Sequence, residues 1–359
     1  MTAFAASAGV AVLQRSHSVR ISSILILSFR GGVPWCATAA LGPGRGWRRR
    51  QRARLSANNN RYARWESNDG EESATSDLRP PTRRKRARCC RREGGASAPH
   101  SLLVMDIPDP QRLGGLDWTR RTGGRLTSRE RRRLFAAIAL GQWENALGRA
   151  KLALGRLPPG AANVDLDAFV VPDSLFAREA EQACAEQPRE LVSHSYRTWL
   201  FGRALAAVDG EPLDTELFYC GALLHDHGLI EPTPGQDFTL AGADRAVSCA
   251  LAAGLSDHRS QTLADAICVH STPGVSIDRD GPLGCYLQWG AMADVAGLRI
   301  CDVSPGNVDE IIRRYPRDDF KRQITAMMRS EAAAMPQGRF ALLMRSGVPL
   351  AVRLAPFGS

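Results

Sequence analysis

From residue 127 onward, apolar side chains recur every three or four positions, the pattern of helices that bury one face. Thr127 and Glu130 make a T-x-x-E capping box ahead of RRRLFAAIALGQWENALGRAKLAL, where Leu134, Ile138, Trp143 and Leu147 fall near helical spacing. Pro158–Pro159–Gly160 ends that helix. VDLDAFVV suits a short extended piece. Pro172–Asp173–Ser174 starts a helix that runs through Cys184, and Ser193 caps HSYRTWLFGRALAAV, which Asp209–Gly210 closes. Asp214 or Thr215 opens ELFYCGALLH, EPTPGQDF is a loop, and Gly242 to Ala253 is a helix of small residues. Ser256 caps DHRSQTLADAICVH, which stops before Pro273. GPLGCYLQWGAMADVAGL, PGNVDEIIRRYP and DDFKRQITAMMRSEAAAM supply the remaining helices. Strand signals are weak, with FALLM and VPLAVRL near the end as the candidates. The expected fold is all-α, a bundle with a core of at least five helices and no internal repeat.

Charge divides the chain near residue 104. Residues 1–100 hold 19 of the 47 Lys and Arg but only 6 of the 37 Asp and Glu. The formal net charge of +10 therefore belongs to that stretch, and the rest is slightly acidic. A nucleic-acid reading through the folded part loses its basis. Runs such as GWRRRQRAR and RRKRARCCRR show neither helical nor strand period, so residues 1–104 are expected to be a disordered basic extension. Residues 1–65 contain no acid, which suits an organellar transit peptide and a mitochondrial destination. Alternatively the protein proper starts at Met105 and is cytoplasmic. ISSILILSF is too short to cross a bilayer, and no membrane association is expected. Residues 105–172 then form a helical accessory segment and 173–359 the helical core. The nine cysteines are mostly scattered singly on apolar faces, which suits reduced thiols in a reducing compartment.

The candidate chemistry is an H…HD…H…D series: His194, His225–Asp226, His270 and Asp294 on four predicted helices. Imidazoles and carboxylates converging from separate helices can hold a divalent metal inside a bundle. His225 and Asp226 stand at a helix end, where Gly228 supplies the turn. Asp294 lies in an apolar helix, where a carboxylate needs a cation for a partner, whether a metal or Arg299. Arg197, one turn after His194, faces the same side. It suits an anionic substrate or, equally, a salt bridge to a core Asp. His227 reads as a rim residue and His258 as exposed.

SHSYRTWLFG, ALLHDHGLIEP, ICVHS and GAMADVAG, in that order, resemble the HD-domain superfamily of metal-dependent hydrolases, and most of all its cyanamide-hydratase-like branch. The similarity spans about Asp173 to the C-terminus. It implies an HD-domain helical bundle with His194, His225, Asp226 and Asp294 as metal ligands. Relatives often carry a His six residues before the last Asp; here that position is Gln288, a poor ligand for a transition metal. One divalent ion (Zn, Fe or Mn) is therefore expected, with Gln288 and Arg197 as substrate contacts.

The implied enzyme is a hydrolase or hydratase. A metal-activated water attacks a small C–N substrate such as a nitrile or amide, Asp226 orients or accepts the water proton, and His270 acts as acid or base. A phosphohydrolase acting on a nucleotide is the first alternative, and a degenerate regulatory domain that binds metal or nucleotide is the second. The chain has three lysines, Lys85, Lys151 and Lys321, none near the motifs, and Leu229 stands where many HD phosphohydrolases have Lys. Phosphate clamps need several cations, and only Arg197 and Arg245 offer themselves. A small apolar-walled pocket with Trp199, Phe238 and Trp289 would fit a small neutral molecule. The partner expected is that substrate, with a homo-oligomer left open.

Overall fold

The helical periodicity resolves into twelve α-helices in a computed structural model that describes residues 112–358. They are α1 (Leu116–Thr122), α2 (Ser128–Ala153), α3 (Leu175–Cys184), α4 (Arg189–Asp209), α5 (Thr215–Leu224) and α6 (Phe238–Ala252), then α7 (Asp257–Val269), α8 (Ile277–Ala296), α9 (Pro305–Arg314), α10 (Phe320–Ala334), α11 (Arg339–Arg345) and α12 (Val348–Arg353). The described residues contain no strand, so the fold is all-α. The basic stretch 1–104, expected to be disordered, lies outside the described residues.

Local chemistry explains most of the boundaries. The capping box at Thr127 is complete: its hydroxyl accepts from the Glu130 N–H, and the Glu130 carboxylate accepts from the Thr127 N–H at 2.7 Å. Ser174, Asp214, Asp237, Ser256 and Ser304 cap α3, α5, α6, α7 and α9 with side-chain oxygens. Four expectations are corrected. Ser193 is not a cap, because α4 starts at Arg189 behind Pro188, whose fixed φ presets the first turn. VDLDAFVV holds one 3₁₀ turn, Leu166–Ala168, rather than a strand. FALLM and VPLAVRL are helical (α11 and α12), packed by Leu342, Leu343, Val348 and Val352 into an apolar cluster. On α2, Trp143 and Leu147 are exposed, and only Leu134, Ile138 and Asn145 are buried.

Helices α4 and α8 form the central pair, and both are buried along most of their length. They touch through glycine. A Cβ at Gly290 on α8 would overlap the Thr198 carbonyl and lie 2.8 Å from the Gly202 nitrogen of α4. One apolar cluster fills the α3–α7 side, with Phe201, Phe218, Tyr219, Leu223 and Ile267 fully buried. A second packs the other face of α8 (Val295) against Trp118, Leu134, Phe320, Ile324 and Met328.

The described residues fall in one compact unit, and those before 172 are tied into it. Arg112 pairs with Asp265 on α7 and with Asp280 on α8. The Leu126 N–H donates to the Gln337 carbonyl at 3.0 Å. Helix α2 then runs alongside and meets the 3₁₀ turn Ile300–Asp302, where a Cβ at Gly148 would overlap the Cys301 sulfur. No helix among the described residues is long and apolar enough to cross a membrane.

Candidate metal centre

Buried helices deliver each imidazole. α5 is buried from Leu217 to Leu224 and ends on His225; α7 buries Leu263, Ala264 and Ala266–Val269 and ends on His270. Both histidines use the same local device. The His225 Nδ1–H donates to the Ala222 carbonyl at 2.9 Å, and the His270 Nδ1–H donates to the Ile267 carbonyl at 2.5 Å. These are carbonyls that a helix C-terminus leaves without an N–H partner. His194, in the second turn of α4, donates its Nδ1–H to Asp294 Oδ2 at 2.7 Å. With each Nδ1 so engaged, every neutral ring turns an unprotonated Nε2 toward the interior.

All three Nε2 atoms surround one carboxylate. Asp226 Oδ2 lies 3.4 Å from His194 Nε2 and 3.3 Å from His225 Nε2, and Oδ1 lies 3.4 Å from His270 Nε2. Asp226 stands just past the end of α5 with φ −101° and ψ 7°, the sparsely populated bridge region that often hosts functional residues. Gly228 matters here for space rather than for its turn: a Cβ would overlap the Phe238 carbonyl and push the 226–229 turn off α6.

A carboxylate among imidazoles in a dry interior needs a positive charge beside it, and part of that charge can come from His194, whose pKa burial would lower but Asp226 and Asp294 raise. His194 and His225 are fully buried and Asp226 and His270 are 5% exposed, so water offers little relief. His225 Nε2 has no hydrogen-bond partner among the described residues. Burial pushes the His225 pKa down, against the pull of Asp226, so protonation is not its remedy. Burial alone would raise the Asp226 carboxyl, but His225, His194 and His270 outweigh it and hold it well below the usual carboxylate range. His194, His225 and Asp226 together are a buried group that could hold a metal ion.

Asp294 does not join that group. One oxygen accepts from His194, and the other accepts from Arg197 Nε at 2.9 Å and from Arg317 Nη1. Both its oxygens are thus committed, and it stands behind His194 rather than beside Asp226. Its pKa would rise by burial, but Arg197 and Arg317, with His194, hold it below the usual range. Arg197 is likewise corrected as a substrate contact. It is fully buried, and its Nη1 donates to the Tyr315 and Pro316 carbonyls at 3.0 and 3.1 Å. The salt bridge to a core Asp is the reading that holds, with Asp294 and not Arg299 in the pair. Arg317 was not legible: in RRYPRDDF nothing marks it apart from Arg313 and Arg314.

A cavity of about 1000 Å³ opens over the cluster, with His194, Asp226 and His270 on its floor. Gln288 and Ser271 stand beside them. The Gln288 amide donates to the Thr272 carbonyl, which leaves its Oε1 free to accept. The Ser271 hydroxyl has no partner among the described residues. Of the three aromatics expected here, only Trp289 lines the cavity. Trp199 packs edge-on against Tyr219 in the core, and Phe238 packs edge-on behind His270. His227 pairs with Glu186 at 3.4 Å, as does Arg245 at 2.5 Å, and His258 is exposed. The described cysteines are free and all but Cys301 are buried.

No protein-family model matches the chain, and no curated protein matches it.

Proposed function

We propose that this protein is a metal-dependent hydrolase or hydratase of the HD type, acting on a C–N bond of a nitrile or amide-like substrate. The observation that carries the reading is the ring of three Nε2 atoms around the Asp226 carboxylate, each fixed by an engaged Nδ1. His194, His225 and Asp226 would hold one divalent transition ion, with His270 at hand on the cavity side. Bound there, such an ion supplies Lewis acidity, enough to make hydroxide from water near neutral pH.

The chain's own groups do the rest. The carbonyls of Ala222 and Ile267 lock the tautomers of His225 and His270, so neither ring has to reorient during reaction. Asp294, itself gripped by Arg197 and Arg317, does the same for His194. Asp226 Oδ1 and His270 Nε2 are the proton acceptors that face the cavity, and a protonated His270 returns a proton to the leaving or developing nitrogen. Gln288 Oε1 accepts from a substrate N–H.

Substrate class follows from what is missing on the floor. Among the described residues lining the cavity, those beside the cluster are acceptors, apart from the Ser271 hydroxyl. Phosphate oxygens need donors and cations. The deep cations Arg197, Arg317 and Arg339 are spent on Asp294 and Asp237. A neutral group that carries N–H, as an amide does, fits better than a phosphoryl group.

The purified chain should carry about one transition metal, read by elemental analysis. His225→Ala and Asp226→Ala should each lose it while helicity by circular dichroism stays. His270→Ala should keep the metal and lose about 10²–10⁴-fold in turnover of amides or nitriles. Full metal occupancy in both of the first two variants would sink the metal site. Turnover of nucleotides but not of nitriles or amides would sink the reaction class.

A further inference from the structure

We infer that the substrate is an elongated, largely apolar molecule that carries a carboxylate at the end opposite its reacting C–N group. This deepens the proposed function and rests on it only for the identity of the reacting end.

The size of the cavity comes first. About 1000 Å³ is the upper end of the range that encloses drug-sized ligands, and a nitrile or amide of a few atoms would leave most of it unfilled. The walls come next. Much of the lining is apolar: Ile138, Met292, Val295, Ile324, Met328 and Leu343, from α2, α8, α10 and α11. None of these side chains carries a charge, so the part of the ligand that meets them is hydrocarbon or aryl.

The mouth is different. Lys151, at the end of α2, and Arg156, just after it, line the outer cavity and are exposed. Among the described residues no carboxylate pairs with either, whereas nearly every other lining charge is spoken for: Arg299 is bound to Asp209 and Asp302, and Asp226 sits among the imidazoles. Among the described lining residues Glu144 is the one acid without an ion pair, against these two cations. The buried cluster and the exposed cations mark the two ends. A ligand with its anion at Lys151 and Arg156 lays its apolar body along the walls and brings its far end to His270 and Gln288.

Binding can be read without turnover. The full chain is titrated with decanoate and with decanol by calorimetry, in low salt, alongside the Lys151→Ala/Arg156→Ala double variant. Both positions are exposed, so the variant keeps the fold. Decanoate should bind about tenfold more tightly than decanol, and the double variant should bring the two within about twofold, the scale expected of two exposed ion pairs. Equal binding of acid and alcohol by the unaltered protein overturns the anionic end. No binding of either overturns the apolar body. Neither outcome touches metal content or amide turnover, on which the hydrolase reading stands or falls separately.

Discussion

Glu331 is a carboxyl held where its charge is unwelcome. It is 1% exposed; Oε1 accepts from the Phe238 N–H at 3.2 Å, and Oε2 has no partner among the described residues. Burial first, and the nearby Asp237 second, push its pKa up to about 7. In the unfolded chain the same carboxyl ionises at about 4.3. Between those values the unfolded state has shed its proton and the folded state has kept it, so stability falls as pH rises through the interval and levels off above it. Glu331→Gln should remove that slope and gain up to about 3 kcal/mol at pH 8, with little change at pH 4. Urea unfolding of both proteins at several pH values checks this; parallel pH profiles would refute it. At this scale the sequence was a fair guide to atoms with a local role. His225 and Asp226 were readable because a helix end follows from caps and a buried run. The engagement of Asp294 was not, since it depends on Arg317, which reaches it from a loop 23 residues on.

Among the elements, the contact between α4 and α8 sets the distance from His194 to Asp294. Gly290→Ala would drive a methyl into the Thr198 carbonyl, a backbone atom that cannot swing aside. Overpacking of this kind costs about 1–3 kcal/mol, and the melting temperature should drop accordingly. Gly141→Ala on α2 is the control. Nothing lies within 4 Å of its Cβ position, so the better helix former should stabilise by up to about 1 kcal/mol. If the two substitutions shift the melting temperature alike, the helices do not depend on that close approach. Helix existence was legible from periodicity and caps, because both are local. The start of α4 was missed because Pro188 offers no capping oxygen, only a fixed φ. The final helices were mistaken for strands because short apolar runs carry no period that separates the two. The role of Gly290 was illegible, because a glycine within a helix is a weakness until its neighbour across the contact is known.

For the molecule as a whole, the cavity is what sequence could not supply. Its lining comes from α2, α8 and α10–α12, segments far apart in the chain, and the expectation of a small pocket followed from aromatics that pack in the core instead. Trp143 and Leu147 point outward for the same reason. Helix α2 roofs a hollow, so one narrow stripe is enough to seat it, and Phe135 and Leu140 are left exposed as well. Gly148 rests on Cys301 at the far end of that roof. The protein thereby carries a clock. Burial pushes the Cys184, Cys268 and Cys285 thiols up to about 12, while Cys301 is half-buried and pushed up to about 11. A neutral alkylating reagent at pH 8 should therefore mark Cys301 well before Cys184, Cys268 and Cys285, at the rate at which α2 lifts from it, with the sites separated by mass spectrometry. Decanoate in the cavity should slow that mark and leave the rest unchanged. Labelling of Cys301 at the same rate as Cys184, Cys268 and Cys285 would mean that the roof never opens alone, and that a ligand enters only as the whole bundle loosens.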